Sequence, residues 1–538
     1  MKKTVKRAST ITDETQIYVV GGGMAGLSAA IFAARDAHIP GKNIHVFEER
    51  NSVGGSLYGE GSPETNYFTF GDWKFHRKVY NCTWDVLSEI PSIDEPNKSV
   101  TEEIFEYNQN HEKNAKSRLI HSNQNADNVK SMGLKWRDTI KLLRLIFVPE
   151  NRIENRRIDS WFDPAFFTTN FWKVFSSMFA LEYWNDLVEM KRYVRRFLHD
   201  VHKMVGGKAE VVTPYNNYNS MTEPMRKWLE EQGVDFEMGC KVTDLDFKPA
   251  QDELTVEQLY YSKNGENDEK IDVKDCDFVF VTNGSMVADV KRGSVEEPAY
   301  LERGKLDGSW TLWENIVKKR PGSGLGNPST FNSHVEESAW MSFLVNSDDQ
   351  TFFKLYEQFT GNKPGQANMV TFTDSNWHSS VLVPPHPHFR NQPKDRYIWA
   401  ACGFQPFEKG NFVDKTMAEC NGEEILTEIC NHFGFVKELP HILETSTCVP
   451  AMMPYVMSHF LPRKRSDRPQ VVPEGSTNLA FMGQFTESEE CVMLVESSIR
   501  CAKIAVNTLL HVDKKVPPVY TRVHDPIALF RALATVSK

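Results

Sequence analysis

A short apolar run, Ile17 to Val20, meets a glycine cluster and then an alanine-rich stretch, "MAGLSAAIFAARD". The run predicts a buried strand and the stretch a helix packed closely on it. Further on, "NIHVFEER" predicts a second strand ending in acid, completing a βαβ unit. Residues 86–130 are polar, lack periodicity and read as loop. Residues 135–205 read as helices, and "FWKVFSSMFALEYWNDLVEMKRYVRRFLHDV" is apolar on more than one face, as in a buried or cavity-lining helix. The α/β pattern returns from residue 222, with the helix "EPMRKWLEEQG", the strand pair "VDFEMGCKVTDLDF" and the strand "DFVFVTNGS". Residues 300–465 alternate strands and helices between Pro-rich breaks. "TNLAFMGQFTES" then predicts a strand, followed by the helix "VESSIRCAKIAVNTLL".

Glycines decide what the βαβ unit can hold. Gly21, Gly23 and Gly26 form G-x-G-x-x-G between strand and helix. The first glycine permits the tight turn, the second a close approach to a pyrophosphate, and the third close helix–strand packing. The helix N-terminus then faces the phosphates with its positive end. Glu48 ends the next strand, placed for ribose hydroxyls, and Gly54, Gly55 and Ser56 follow. The acid with a second glycine pair favours FAD over NAD. Thr282, Asn283 and Gly284 fit a strand returning beneath that cofactor, Gly483, Gln484 and Phe485 its last strand, and Val242 a position at the adenine.

The predicted fold class is α/β: a two-dinucleotide-binding-domain flavoprotein with a Rossmann-like FAD domain, a mixed α+β substrate domain and a helical cap. Residues 15–90, 206–290 and 470–512 make the discontinuous FAD-binding domain, 130–205 the cap, 295–469 the substrate domain and 513–538 a C-terminal tail.

Composition narrows the function. The net charge is −10, from 62 basic and 72 acidic residues, with no clustered basic face for nucleic acid. The nine cysteines are scattered without a CxxC pair, which argues for reduced thiols, a cytoplasmic protein and no metal site. The N-terminus lacks an apolar signal core, and no run is long enough to span a bilayer. The amphipathic end, "DPIALFRALATVSK", suits docking on its own protein, or peripheral membrane contact.

Long stretches resemble the oleate hydratase family, also called the myosin-cross-reactive antigen family. They include "HIPGKNIHVFEE", "GGSLYGEG", "RIDSWFDPAFFTTNFWKVFSSMFALEYWNDLVEMKRYVRRFLH", "YNNYNS", "MMPY" and "DRPQVVPEGSTNLAFMGQF". The resemblance implies FAD, hydration of a cis double bond in an unsaturated fatty acid without net flavin redox change, and a homodimer. It also implies an elongated apolar channel and a tail that meets membrane. By resemblance Tyr215, in "PYNNYNS", is the proton donor, and Tyr218, Met453 and His388 belong to the substrate site.

The chain departs from that pattern twice. Anchored on "NCTWDVL", the stretch "FGDWKFHR" puts Phe75 at the position of the family's catalytic glutamate, with Asp72 and Trp73 in place of a glycine pair. Phe cannot accept a proton, so His76 or Asp72 is expected to replace the base. The family's carboxylate-binding stretch, close to "TVNRQPHF", reads "LVPPHPHF" here, which removes two neutral hydrogen-bonding side chains and adds His386. Three readings stay open: hydration or isomerisation of an acyl-chain double bond, redox chemistry on an apolar substrate, and lipid binding without catalysis.

Overall fold

The structure is a computed structural model. It describes residues 11–71, 74–111, 118–122, 125–127, 129, 131–197, 210–250, 252–266, 269–366, 369–488 and 494–536. Asp72 and Trp73 lie outside the described residues.

Five parallel strands build the first layer, in the order Leu479–Met482, Phe278–Thr282, Ile17–Val20, Ile44–Glu48 and Asp235–Met238. Ile17 pairs with Phe278 on one side and Ile44 on the other. The central strands are apolar throughout because both faces are covered, as parallel sheets require. Helices Met24–Arg35 and Leu494–Leu509 pack on one face. A three-stranded antiparallel sheet, Cys240–Phe247, Val256–Lys263 and Glu269–Asp272, helps to cover the other. The predicted pair "VDFEMGCKVTDLDF" is thus divided between two sheets.

The second layer is an eight-stranded, largely antiparallel sheet. Its order is Lys291–Arg292, Ser446–Met453, Trp340–Ser347, Tyr397–Gly403, Ser379–Leu382, Val370–Phe372, Leu119–Ile120 and Ala126–Asp127. Helices Thr351–Thr360 and Gly422–Phe433 pack on one face, where Val345 and Trp399 meet Phe352 and Ile429. Strand alternation sends Ser342, Leu344, Ala400 and Cys402 to the opposite face.

Two expectations are corrected. Residues 86–130 are not wholly loop, since Val100–Asn110 is a helix closed by a reciprocal capping box: the Glu102 amide donates to the Ser99 hydroxyl at 3.2 Å and the Ser99 amide to the Glu102 carboxylate at 2.8 Å. The aromatic stretch is two helices, Asn170–Phe179 and Leu187–Phe197, because Ala180 takes a left-handed conformation at φ 55°. The final helix, Pro526–Val536, docks through Ala528 and Ala532 and leaves Ile527 and Phe530 63% and 72% exposed. No helix among the described residues is long and apolar enough to cross a membrane.

Candidate active site

The C-terminal ends of the parallel strands open onto a cleft. Gly21, Gly23, Glu48, Gly55, Ser56, Val242, Thr282, Gly284 and Gln484 line it, nine of the residues expected to hold the cofactor. Gly21 has φ +96°, which gives the tight turn. Gly23 precedes helix Met24–Arg35 without any side-chain cap, and Met24 and Ala25 face the cleft, so the free amides of the first turn are presented to an anion. A Cβ on Gly23 would stand 3.7 Å from the Gly55 Cα, so the two glycine backbones form one narrow cradle.

The other predicted cofactor residues act behind the wall. Gly26 packs against the strand. Gly54 donates its amide to the Gly22 carbonyl at 2.9 Å. The Asn283 amide donates to the Phe485 carbonyl at 3.2 Å and its oxygen accepts from Thr486 at 2.7 Å. Gly483 turns at φ +98° against Thr282. Phe485 is corrected from cofactor contact to core: its ring is buried among Trp310, Trp313 and Phe331 because the Gly284 backbone leaves room for it.

Glu48 accepts the Gly22 amide at 2.8 Å and the Arg50 amide at 3.0 Å. Burial raises its pKa against those two bonds. Spacing alone does not reveal Glu49, Lys241, Asp307, Gly308 and Ser309, which also line the cleft. Glu49 accepts the Gly308 amide at 2.7 Å, and burial, then the Asp307 charge, push its pKa from 4.5 to about 7. A carboxyl raised on folding stabilises the folded state when protonated, and that contribution is lost as pH rises through about 7. The melting temperature is expected to fall between about pH 4.5 and 7, and Glu49→Gln to flatten the slope. Parallel wild-type and variant slopes would contradict this.

These features fit FAD: a glycine cradle at a helix N-terminus, an acid at the second strand end and an extended cleft. Among the described residues, Met286 and Leu494 line both this cleft and an adjoining cavity.

The adjoining cavity is apolar and encloses about 210 Å³. Its walls come from the helices (Phe179, Tyr193, Phe197), from the eight-stranded sheet (Trp340, Ser342, Leu344, Ala400, Cys402) and from the altered stretch. Phe75 is buried there, edge-on to Tyr80 and Trp84, and exchanges both backbone bonds with Val211 at 2.9 and 2.8 Å. That bridge brings Glu210, which sequence spacing does not single out, beside the position of the missing glutamate. Glu210 lines the cavity, with Lys74 at 3.7 Å. His76 lines it too, and its Nδ1 accepts the Lys78 amide at 3.2 Å. His459, another residue the sequence reading passes over, is 3% exposed in the same wall, and burial together with the Arg468 charge pushes its pKa down to about 3.

The remaining candidates lie elsewhere. Tyr215 sits outside both linings, with the Arg390 guanidinium 5.3 Å over its ring, and burial raises its pKa. Tyr218 also lies outside both, edge-on to Tyr58, with its hydroxyl 3.4 Å from Ser52. His386 is corrected to a loop residue. Its Nδ1 accepts from Gln392 at 3.1 Å and its Nε2 donates to the Lys394 carbonyl at 3.2 Å, which occupies both nitrogens. Burial lowers its pKa, in keeping with that neutral ring. His388 is buried, its carbonyl accepting the Asn216 amide at 2.7 Å, and lies outside both linings. Met453 is behind the cavity wall, where its sulfur accepts from Trp340 at 3.1 Å and Ser342 at 3.3 Å.

Comparison with known proteins gives concordant findings. The chain is 33% identical over 532 residues to an oleate hydratase of Streptococcus pyogenes serotype M49 (strain NZ131), covering 97% of this chain and 89% of that protein. It is 28% identical to a linoleate hydratase of Lactiplantibacillus plantarum, covering 91% and 93%. Among solved structures, cyclohexylamine oxidase from Brevibacterium oxydans IH-35A shares the fold with TM-score 0.52 and 10% identity, covering 93% of this chain and 99% of that one. A putrescine oxidase does so with TM-score 0.51 and 12% identity, covering 92% and 99%. The MCRA family model matches residues 14–507, and the chain belongs to that family.

Proposed function

We propose that the protein binds FAD in the glycine-lined cleft and hydrates a carbon–carbon double bond of an unsaturated fatty acid held in the apolar cavity. The observation that carries this reading is the junction of the two spaces at Met286 and Leu494. The oleate and linoleate hydratase relatives support the substrate class. Bound in the cleft, FAD would supply a ring with hydrogen-bonding edges at the junction of the two spaces, and hydration would require no net electron transfer through it.

The chain's own residues supply the remaining requirements. The aromatic walls exclude bulk water and hold the acyl chain straight. One alkene carbon must gain a proton while a water molecule loses one as it bonds to the other carbon, so that one water is added with no net change in protons. Glu210 accepts that proton, since the Phe75–Val211 bridge returns a carboxylate to the region where the stretch has lost one. His76, in the same wall, orients the water.

Glu210→Gln and His76→Ala are each expected to lower turnover at least 100-fold while FAD stays bound, within the range for lost acid–base groups. Tyr215→Phe, outside both cavity linings, is expected to cost less than tenfold. The assay incubates oleate and linoleate with the FAD-loaded protein and follows products by mass spectrometry. A mass gain of one water supports hydration. An isobaric conjugated diene would replace it with isomerisation, and stoichiometric anaerobic flavin bleaching with redox chemistry. Lack of any product would leave lipid binding alone.

A further inference from the structure

One strongly basic side chain in the apolar cavity has no counterpart in the machinery above. Arg118 precedes the short strand Leu119–Ile120, and its backbone is held on both sides: its amide donates to the Asp127 carbonyl at 3.0 Å and its carbonyl accepts the Thr371 amide at 2.9 Å. The side chain is therefore aimed by the sheet. It lines the cavity and is 1% exposed. Among the described residues, neither Nε nor Nη1 has a hydrogen-bond partner, and no carboxylate lies within salt-bridge distance of the guanidinium. Glu210 is in the same wall, and its charge partly offsets the burial that lowers the Arg118 pKa, but Lys74 is the cation beside it.

A buried guanidinium with unused donors is costly, and such groups in native proteins are normally satisfied. A carboxylate supplies two acceptors in the planar arrangement the guanidinium fork matches, and the desolvated wall strengthens the pair. We infer that Arg118 is the head-group anchor of the cavity, its guanidinium binding the carboxylate of the acyl substrate. This rests on the fatty-acid reading above and adds to it the site that recognises the acid. It also fits the "LVPPHPHF" stretch, whose histidines are outside the cavity lining and cannot hold the head group there.

The test uses the FAD-loaded protein and two probes that differ only at the head group, cis-9-hexadecenoate and cis-9-hexadecen-1-ol, with affinities read by displacement of a fluorescent acyl probe. Wild-type protein is expected to bind the acid at least tenfold more tightly than the alcohol. Arg118→Gln is expected to remove that preference while alcohol affinity changes less than threefold, which also shows that the variant's cavity is formed. Arg118→Lys is expected to retain part of the preference. Equal binding of acid and alcohol by the wild type, or an unchanged preference in Arg118→Gln, overturns the anchor and leaves the acyl-chain cavity standing. If Arg118→Gln does not fold, the wild-type preference and the Arg118→Lys value decide: a full preference in Arg118→Lys supports the anchor only if raising salt weakens the acid and not the alcohol. Failure of the wild type to bind either probe overturns the fatty-acid reading together with the anchor.

Discussion

Gly26→Ala is expected to abolish FAD binding and to destabilise the protein by at least about 3 kcal/mol, at the severe end for one added methyl group. A Cβ at this position would lie 1.9 Å from the Gly21 carbonyl oxygen and 3.1 Å from Val19 Cγ1. Neither neighbour can move cheaply. Gly21 is fixed by its amide bond to the Phe47 carbonyl at 2.8 Å, and Val19 is wholly buried in the sheet. The helix would have to lift from the strand, widening the turn that presents its amides to the phosphates. Denaturant midpoint and flavin absorbance of the purified variant measure the two effects. Wild-type values for both would refute the packing argument.

Glu189→Gln is expected to cost about 3–5 kcal/mol, the usual consequence of removing one partner from a buried ion network. Glu189 accepts from Arg463 at 2.8 Å and lies 3.2 Å from Arg468; Arg192 bridges Glu150 at 2.9 Å and Glu487 at 3.0 Å. All but Glu150 are nearly or wholly buried. Burial alone would raise the Glu189 pKa, but Arg468, Arg463 and Arg192 reverse it to about 2. A depressed carboxyl contributes stability above its unfolded range, and that contribution is lost as pH falls toward about 2. Neighbouring Asp186 is shifted the other way, to about 8 by burial, so its contribution is lost as pH rises through about 8. The network ties helix Leu187–Phe197 to the segment carrying His459 and Phe460, so the variant should also loosen the cavity wall. A matched change at the exposed pair Arg226–Glu230, 2.8 Å apart, should cost under about 0.5 kcal/mol. Equal costs at the two sites would count against the network.

What the sequence revealed depended on whether local spacing or distant pairing carries the information. The glycine cradle was legible because its demands fall on neighbouring residues: a turn at Gly21, an approach at Gly23 and a contact at Gly26. The centre of the parallel sheet was legible because the strands Ile17–Val20, Phe278–Thr282 and Leu479–Met482 are nearly continuous apolar runs. Glu210 was not, since only the Phe75–Val211 pairing, across a long loop of chain, gives it a place in the cavity. Arg118 was hidden for a related reason. It stands just before a two-residue strand within a polar stretch, too short to show a period of two. His386 misled in the opposite sense: it offered a plausible donor, but its own loop uses both ring nitrogens.

The alternation of the large sheet has a consequence for substrate choice. One face is committed to the helices and supplies the rigidity, while the other presents Ser342, Ala400 and Cys402, all small, to the cavity. These positions behave like movable stops on a fixed rail. Enlarging any one of them would shorten or narrow the bore without touching the helical core behind it. Chain-length preference in this scaffold can therefore drift by single substitutions, at little risk to folding.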